Sequence, residues 1–299
     1  MINNDRVTAT IKAFMRPQKM RNCIICAINA GIDNILVGYD GPEDLWEKHK
    51  KIVDDINLKY NKSVKIFKYK FNKGLSYVRN RLVEESDTEF FLLLDDDVYV
   101  PTNMTDIITL LDTIPEIGAV CIGWLRKLKM DKGKMIGLQA DVWDFEFKNG
   151  WVTPIINFNE KEIKMINGLV YMYPFDHITN NAIYRKAVWE QVQWDEQFII
   201  DGEHGDFMFR IKNETNWKLA YCISLFAFHD DGGNKEFTKY RSGSTLDKTG
   251  KERQFEKWNI KGYYPRVIER RLLDYRRELE WMSMADDNRK LQKDPRSWQ

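Results

Sequence analysis

The sequence predicts an α/β protein built on a mostly parallel, doubly wound sheet, and three observations carry that expectation. Strand-like apolar runs alternate with helix-periodic segments through the first 125 residues. One run, Phe90–Leu94, is apolar at every position, as a strand covered on both faces should be. Polar residues then stand just after the strands, where such sheets bind ligands: Arg16, Asp40 and Asp95–Asp97.

In chain order, Val7–Phe14 reads as a strand and Gln18–Ala30 as a helix closed by Gly31. Ile35–Tyr39 is a short apolar run that ends in the turn signal Asp40-Gly41-Pro42. Glu43–Tyr60 sets Leu45, Trp46, His49, Ile52, Val53, Ile56 and Tyr60 at helical spacing. Val64–Tyr69 is the next strand, Leu75–Glu85 a helix, Met104–Leu111 another helix and Ala119–Trp124 a strand. From about residue 126 the alternation breaks. Val142–Phe147 and Trp151–Phe158 flank the hairpin signal Asn149-Gly150. Leu169–Tyr173 and Lys218–Phe228 read as strands, Asn181–Val192 and Gly205–Asn213 as helices. After Pro265 the chain is densely charged, with Ile268, Leu272, Leu273, Tyr275 and Leu279 interspersed. That pattern predicts an amphipathic tail helix, suited to docking on the domain, to a homo-oligomer contact or to peripheral membrane contact.

Composition excludes several classes. The 46 basic and 45 acidic side chains leave a net charge of +1, so no global field recruits nucleic acid. No apolar run is long enough for a signal peptide or a membrane span, which predicts a protein that stays in the compartment where it is made. Cys23 and Cys26 form a C-x-x-C, but they lie in an apolar helix and no second pair completes a zinc site. They read as core thiols.

Four segments carry chemistry. In Phe90-Phe-Leu-Leu-Leu-Asp-Asp-Asp97, three carboxylates appear where a buried strand leaves the core. Like charges this close raise each other's pKa unless a cation neutralises them, and a divalent metal is the natural partner. The plainer alternative is an acidic turn capping the next helix. In Gly202-Glu-His-Gly-Asp206, Glu203, His204 and Asp206 precede an apolar helix; they serve either as a cap or as a carboxylate base beside a bound hydroxyl. His229 leaves an apolar strand just before Asp230-Asp-Gly-Gly233, and is either structural or a metal ligand. Finally, Gly74 opens a helix carrying Arg79 and Asn80, an arrangement able to hold phosphate.

In this order the segments resemble the family 2-type glycosyltransferases of the GT-A fold. Gly74-Leu-Ser-Tyr-Val-Arg-Asn80 is similar to their G-x-x-x-A-R-N segment, with Val78 in the alanine place, and Asp95–Asp97 is similar to their D-x-D motif. Trp194-Asp-Glu-Gln-Phe198 with Gly202–Asp206 resembles their acceptor-side acidic region, in the G-E-H-x-D form of β-1,4-N-acetylgalactosaminyltransferases of the ganglioside-synthesising type.

The resemblance implies a GT-A domain with a small antiparallel acceptor-side sheet and a helical tail. Residues 1–125 are expected to bind the nucleotide-sugar, 126–235 to bind the acceptor and perform catalysis, and 236–299 to form a C-terminal loop and tail. It implies an inverting, metal-dependent transfer of a hexose or N-acetylhexosamine from a UDP-sugar to a glycan, glycolipid or glycoprotein acceptor. Arg16, Asp40, Gly74, Arg79, Asp95 and Asp96 are expected on the donor side, with Asp40 on the uracil. Asp97 and His229 are expected to ligate Mn²⁺ or Mg²⁺; an imidazole among oxygen ligands favours Mn²⁺. His204 replaces the second acid of the usual Glu-Asp pair, so the base falls to Glu203 or Asp206. With no membrane anchor in the sequence, the expected setting is the cytoplasm of a bacterium or archaeon, or a viral enzyme. The rivals are a nucleotidyltransferase, disfavoured because Phe14-Met-Arg-Pro-Gln-Lys19 has no glycine, and a non-catalytic sugar-binding protein, disfavoured because every acidic motif is present.

Overall fold

The computed structural model describes residues 4–130, 133–233, 235–241, 248–263 and 267–268. The first half builds β1 (Val7–Ala13), α1 (Pro17–Asn29), β2 (Asn34–Tyr39), α2 (Trp46–Tyr60), β3 (Lys65–Lys68), α3 (Leu75–Glu84) and β4 (Phe90–Asp95). The strands lie in the order β3-β2-β1-β4, all parallel. The chain therefore moves outward from β1 to β3 and then returns to the opposite side of β1. That reversal opens a crevice beyond the carboxyl ends of β1 and β4, the place where open α/β sheets take ligands.

Burial explains why β4 is the anchor. Phe90, Phe91, Leu92, Leu93 and Leu94 are at most 1% exposed, each removing roughly 1.5–3 kcal/mol worth of apolar surface from water. The core that this strand divides puts Phe90, Leu92 and Leu94 with Ile24 of α1 and with Leu110 on one side, and Phe91 and Leu93 with Phe207 and Phe209 on the other.

Past Asp95 follow β5 (Val98–Tyr99), α4 (Ile108–Thr113), β6 (Ile117–Met130) and β7 (Gly133–Gln139). β8 (Asp144–Lys148), β9 (Trp151–Ile156), β10 (Glu162–Ile166), β11 (Leu169–Phe175), β12 (Ala182–Arg185), α5 (Lys186–Gln191), α6 (Glu203–Glu214) and β13 (Lys218–His229) come next. The large sheet continues from β4 through β12, β6, β13, β11 and β10, with β5 paired to β13 and β7 to β6. Only β12 interrupts the parallel run between β4 and β6. The chain ends its described part in α7 (Lys235–Arg241), α8 (Gly250–Trp258), β14 (Gly262–Tyr263) and β15 (Val267–Ile268).

Several expectations change in detail. Asn181–Val192, expected as one helix, is β12 followed by the short α5. Ala182, Ile183 and Tyr184 are fully buried between β4 and β6, and tertiary pairing overrides the local pattern. The expected Ala119–Trp124 strand extends to Met130 and turns back as β7. The Met104–Leu111 helix begins as a 3₁₀ turn at Met104–Ile107. The helix expected from Gly205 begins at Glu203, which moves Glu203, His204 and Asp206 from a preceding turn onto its first turn. The Asn149-Gly150 hairpin forms between β8 and β9, while β14 and β15 join β9 in parallel, so the small sheet is mixed rather than wholly antiparallel.

The four cysteines are free and buried, and burial pushes the Cys26 thiol up to about 12. No helix among the described residues is long and apolar enough to cross a membrane. The expected tail helix after Pro265 lies outside the described residues, apart from Val267–Ile268.

Candidate active site

The carboxyl ends of β1 and β4 come together by register, Lys12 opposite Asp95. Asp95 ends β4, and Asp96 and Asp97 form the tight turn into β5. β5 pairs with the end of β13 so that Val98 lies opposite His229, and the Asp230 amide donates to the Asp97 carbonyl at 2.9 Å. This zipper brings Asp97 Oδ2 to 3.6 Å from His229 Nε2 across 131 residues of intervening sequence. Trp124 packs edge-on against the imidazole at 4.4 Å.

Arg16 caps the front of α1 and spans the aspartates. One guanidinium nitrogen donates to Asp97 Oδ2 at 2.5 Å and the other to Asp96 Oδ1. It also donates to the Gly232 carbonyl at 3.1 Å and lies 4.2 Å over the Phe237 ring. Burial raises the Asp96 pKa despite Arg16. Burial acts on Asp97 in the same direction, but His229 and Arg16 outweigh it and hold Asp97 below the usual carboxylate range. Asp96 Oδ2 and His229 Nδ1 are buried without a hydrogen-bond partner.

The residues fit a divalent cation as a two-ligand set. Asp97 and His229 present one oxygen and one nitrogen at a spacing that a single ion can bridge. Among the described residues no group of three or more His, Cys, Asp or Glu is placed to hold an ion. Mn²⁺ and Mg²⁺ sites on diphosphates commonly take further oxygen ligands from phosphate and water.

A pocket in front of the aspartates is walled by Lys12, Phe14, Arg16, Gly74, Asp95 and Asp96, with Phe237 and Tyr240 of α7 at its edge. Gly74 has φ +96°, and a Cβ there would meet the Ile199 carbonyl oxygen at 2.4 Å, so only glycine lets the start of α3 press on the 199–202 loop. The Gly74 amide donates to Asp40 Oδ2 at 2.8 Å, while Lys12 pairs with Asp40 Oδ1 at 2.8 Å. Asp40 is wholly buried and ties β2 to the start of α3. Lys12 was missed in the sequence; its signal was a lone charge one residue before the end of an apolar strand.

Arg79 does not face the pocket. It is 1% exposed and donates to Asp95 at 3.0 Å and to Glu203 at 3.1 Å, linking the two walls of the cleft. Asn80 holds the same walls by taking amide and indole hydrogens from Trp194 and Trp189 and donating to the Trp194 carbonyl.

The two candidate bases separate. Asp206 is completely buried and accepts from Lys257 Nζ at 2.9 Å and Trp258 Nε1 at 2.7 Å, so it fastens α8 to α6 and does not reach the cleft. Burial raises its pKa against these two partners. Glu203, 6% exposed, stays on the Arg79–Asp95 network. His204 Nε2 lies 2.6 Å from the Ile178 carbonyl oxygen, and burial, reinforced by Arg79, lowers its pKa to about 4.

The sequence model described as Glycosyl transferase family 2 matches residues 8–230, about three quarters of the chain. The chain belongs to glycosyl transferase family 2. The matched span of this family 2 protein holds all the site residues above except Gly232, Phe237, Tyr240 and the α8 partners Lys257 and Trp258. A comparison with curated protein sequences returns no match. Among solved structures, GalNAc-T7 with UDP, GalNAc and Mn²⁺ is similar at a TM-score of 0.57 and 14% identity, over 94% of this chain and 56% of that one. S. aureus TarS residues 1–349 is similar at 0.51 and 12% identity, over 85% and 78% of the two chains. Its complex with UDP-GlcNAc gives 0.50 and 14% identity, over 76% and 60%. At these identities the likeness establishes the GT-A fold of the family 2 chain, which spans little more than half of the GalNAc-T7 structure.

Proposed function

We propose that this family 2 protein is an inverting, metal-dependent glycosyltransferase that moves a hexose or N-acetylhexosamine from a UDP-sugar to a glycan hydroxyl. The observation that carries the reading is the Asp97–His229 pair at 3.6 Å, joined through Arg16 to a pocket that Lys12, Arg16, Asp95 and Asp96 help to line. The UDP-GlcNAc bound to TarS and the UDP and Mn²⁺ bound to GalNAc-T7 support the donor and metal classes. Residues 1–125 would hold the donor and 126–235 the acceptor, with α7 of the last segment bordering the donor pocket.

Asp97 and His229 would hold Mn²⁺ or Mg²⁺, whose positive charge offsets that of a departing diphosphate. Lys12 and Arg16, which line the pocket, would add fixed positive charge beside the leaving group. Phe14 packs against Phe237 and Tyr240 at ring separations of 6.4 and 5.7 Å, and the three border the pocket with apolar surface that would limit water at the anomeric carbon. Glu203 takes the proton of the attacking hydroxyl. Arg79 holds that carboxylate in line with Asp95, and a base so placed contributes about 10²–10⁴-fold in rate. Direct attack from the acceptor side inverts the anomeric configuration.

Incubation with a panel of UDP-sugars, a glycan acceptor and Mn²⁺ tests the reading. Release of UDP from one donor, with a product of inverted anomeric configuration, is expected. Pyrophosphate release from a nucleoside triphosphate and a sugar phosphate would replace the reading with nucleotidyl transfer, and silence across the panel would replace it with sugar binding alone.

A further inference from the structure

The divalent cation expected at Asp97 has a competitor within the chain. Arg16 donates to Asp97 Oδ2, and Asp97 Oδ2 is also the atom that faces His229. A guanidinium and a metal ion cannot both occupy that oxygen's inward side at close range, because the charge of each repels the other. The competition is not a loose surface contact: the side chains of Arg16, Asp96 and Asp97 are 11%, 3% and 6% exposed, and Arg16 grips both carboxylates at once.

Arg16 also has somewhere to move. It borders the donor pocket, its Nε is buried without a partner, and its remaining supports are one carbonyl, Gly232 O, and the face of Phe237. A planar fork of donors is as well suited to a phosphate as to a pair of carboxylates. A diphosphate entering beside Lys12 therefore offers Arg16 a second set of anionic oxygens close to the first.

We propose that Arg16 acts as an internal counter-cation that closes the Asp96–Asp97 site to metal, and that the donor's diphosphate draws it away. This proposal rests on the metal-dependent reading of the site. It makes metal and diphosphate binding mutually dependent: Mn²⁺ binds weakly to the protein alone and tightly together with UDP. Removing the guanidinium uncouples the two. The Asp97 and His229 ligands remain in place, while the cation that shields them is gone.

Titration of the full-length protein with Mn²⁺, following the free ion by electron paramagnetic resonance, tests this without any turnover. For the unaltered protein, saturating UDP should tighten Mn²⁺ binding by at least tenfold. Arg16→Gln and Arg16→Ala should bind Mn²⁺ in the absence of UDP at least tenfold more tightly than the unaltered protein, and should gain less from added UDP. Arg16→Lys, which keeps one charge but cannot span both carboxylates, should fall between them, and it serves if the larger changes disturb folding. If UDP tightens Mn²⁺ binding in the unaltered protein but the Arg16 variants bind the bare ion no better, the counter-cation role is overturned while the metal-dependent reading stands. If Mn²⁺ does not bind even with UDP present, both fall together.

Discussion

Asp97 Oδ2 and His229 Nε2 face each other at 3.6 Å because β5 pairs antiparallel with the last turn of β13, not because the chain brings them near in sequence. A carboxylate at the exit of one buried strand and an imidazole at the exit of another become neighbours only when the sheet closes around β6. The pairing also fixes the imidazole against Trp124, which limits its rotation.

From this relationship, Asp97→Asn should keep the fold and abolish most metal-dependent transfer. Loss of a ligand carboxylate is expected to lower kcat by at least about 10²-fold at fixed Mn²⁺. His229→Asn removes the nitrogen ligand and should raise the Mn²⁺ concentration needed for half-maximal rate by about 10–100-fold. Initial-rate measurements of UDP release across a Mn²⁺ series check both. Equal Mn²⁺ dependence in His229→Asn and the unaltered protein would remove His229 from the ligand set.

Gly74→Ala should be costly although the change is one methyl group. The residue sits at φ +96°, and the new Cβ would fall 2.4 Å from the Ile199 carbonyl oxygen. Strain of this kind costs about 1–3 kcal/mol, and relief requires α3 to back away from the loop that carries Gly202. The donor pocket wall would move with it, so a lower urea midpoint should accompany a raised KM for the donor. A stability loss under about 0.5 kcal/mol would show that the loop yields without strain.

The parts of the site that were legible in the sequence are those written as short, local chemistry. Phe90–Leu94 followed by three aspartates announces a strand delivering charge to a cleft, and Gly74 announces a backbone that needs positive φ. Partnership was not legible. Arg79 and Asp40 are of the residue types that contact a nucleotide, yet the folded chain buries both as struts, one between Asp95 and Glu203, the other between Lys12 and Gly74. Pairing partners 16 to 124 residues apart leave no local trace. The fold followed the same rule: the regular β-α alternation to residue 95 was readable, whereas β12 was hidden because its apolar Ala-Ile-Tyr joins a helical pattern and only insertion between β4 and β6 makes it a strand.

His204 makes stability depend on pH. Burial lowers its pKa from 6.5 to about 4, so between these values the unfolded chain binds a proton that the folded chain does not. Stability is therefore complete above about pH 6.5 and falls as pH drops toward 4, by up to about 3 kcal/mol from this residue. Urea unfolding of the unaltered protein from pH 7.5 to 4.5 should show that decline. His204→Gln should flatten it. An unchanged slope in the variant would assign the acid sensitivity to other groups.

The last comparison separates the two acids of α6. Asp206→Asn removes one of the two carboxylates on Lys257, which keeps Asp195 at 2.8 Å, and weakens the bond to the Trp258 indole, so it should loosen α8 and cost about 1–3 kcal/mol. Catalysis by the molecules that remain folded should fall by less than about tenfold. Glu203→Gln is the opposite case. It keeps size and one Arg79 contact, so stability should change by no more than about 1 kcal/mol, while kcat drops by about 10²–10⁴-fold as the proton acceptor is lost. Donor KM should stay within a few-fold in Glu203→Gln because the residue acts on the acceptor. Measuring urea midpoints and kcat on the same preparations places each variant on both axes. If Asp206→Asn loses turnover with an unchanged midpoint, the proton acceptor lies at Asp206 and the Lys257–Trp258 contacts must open during the reaction.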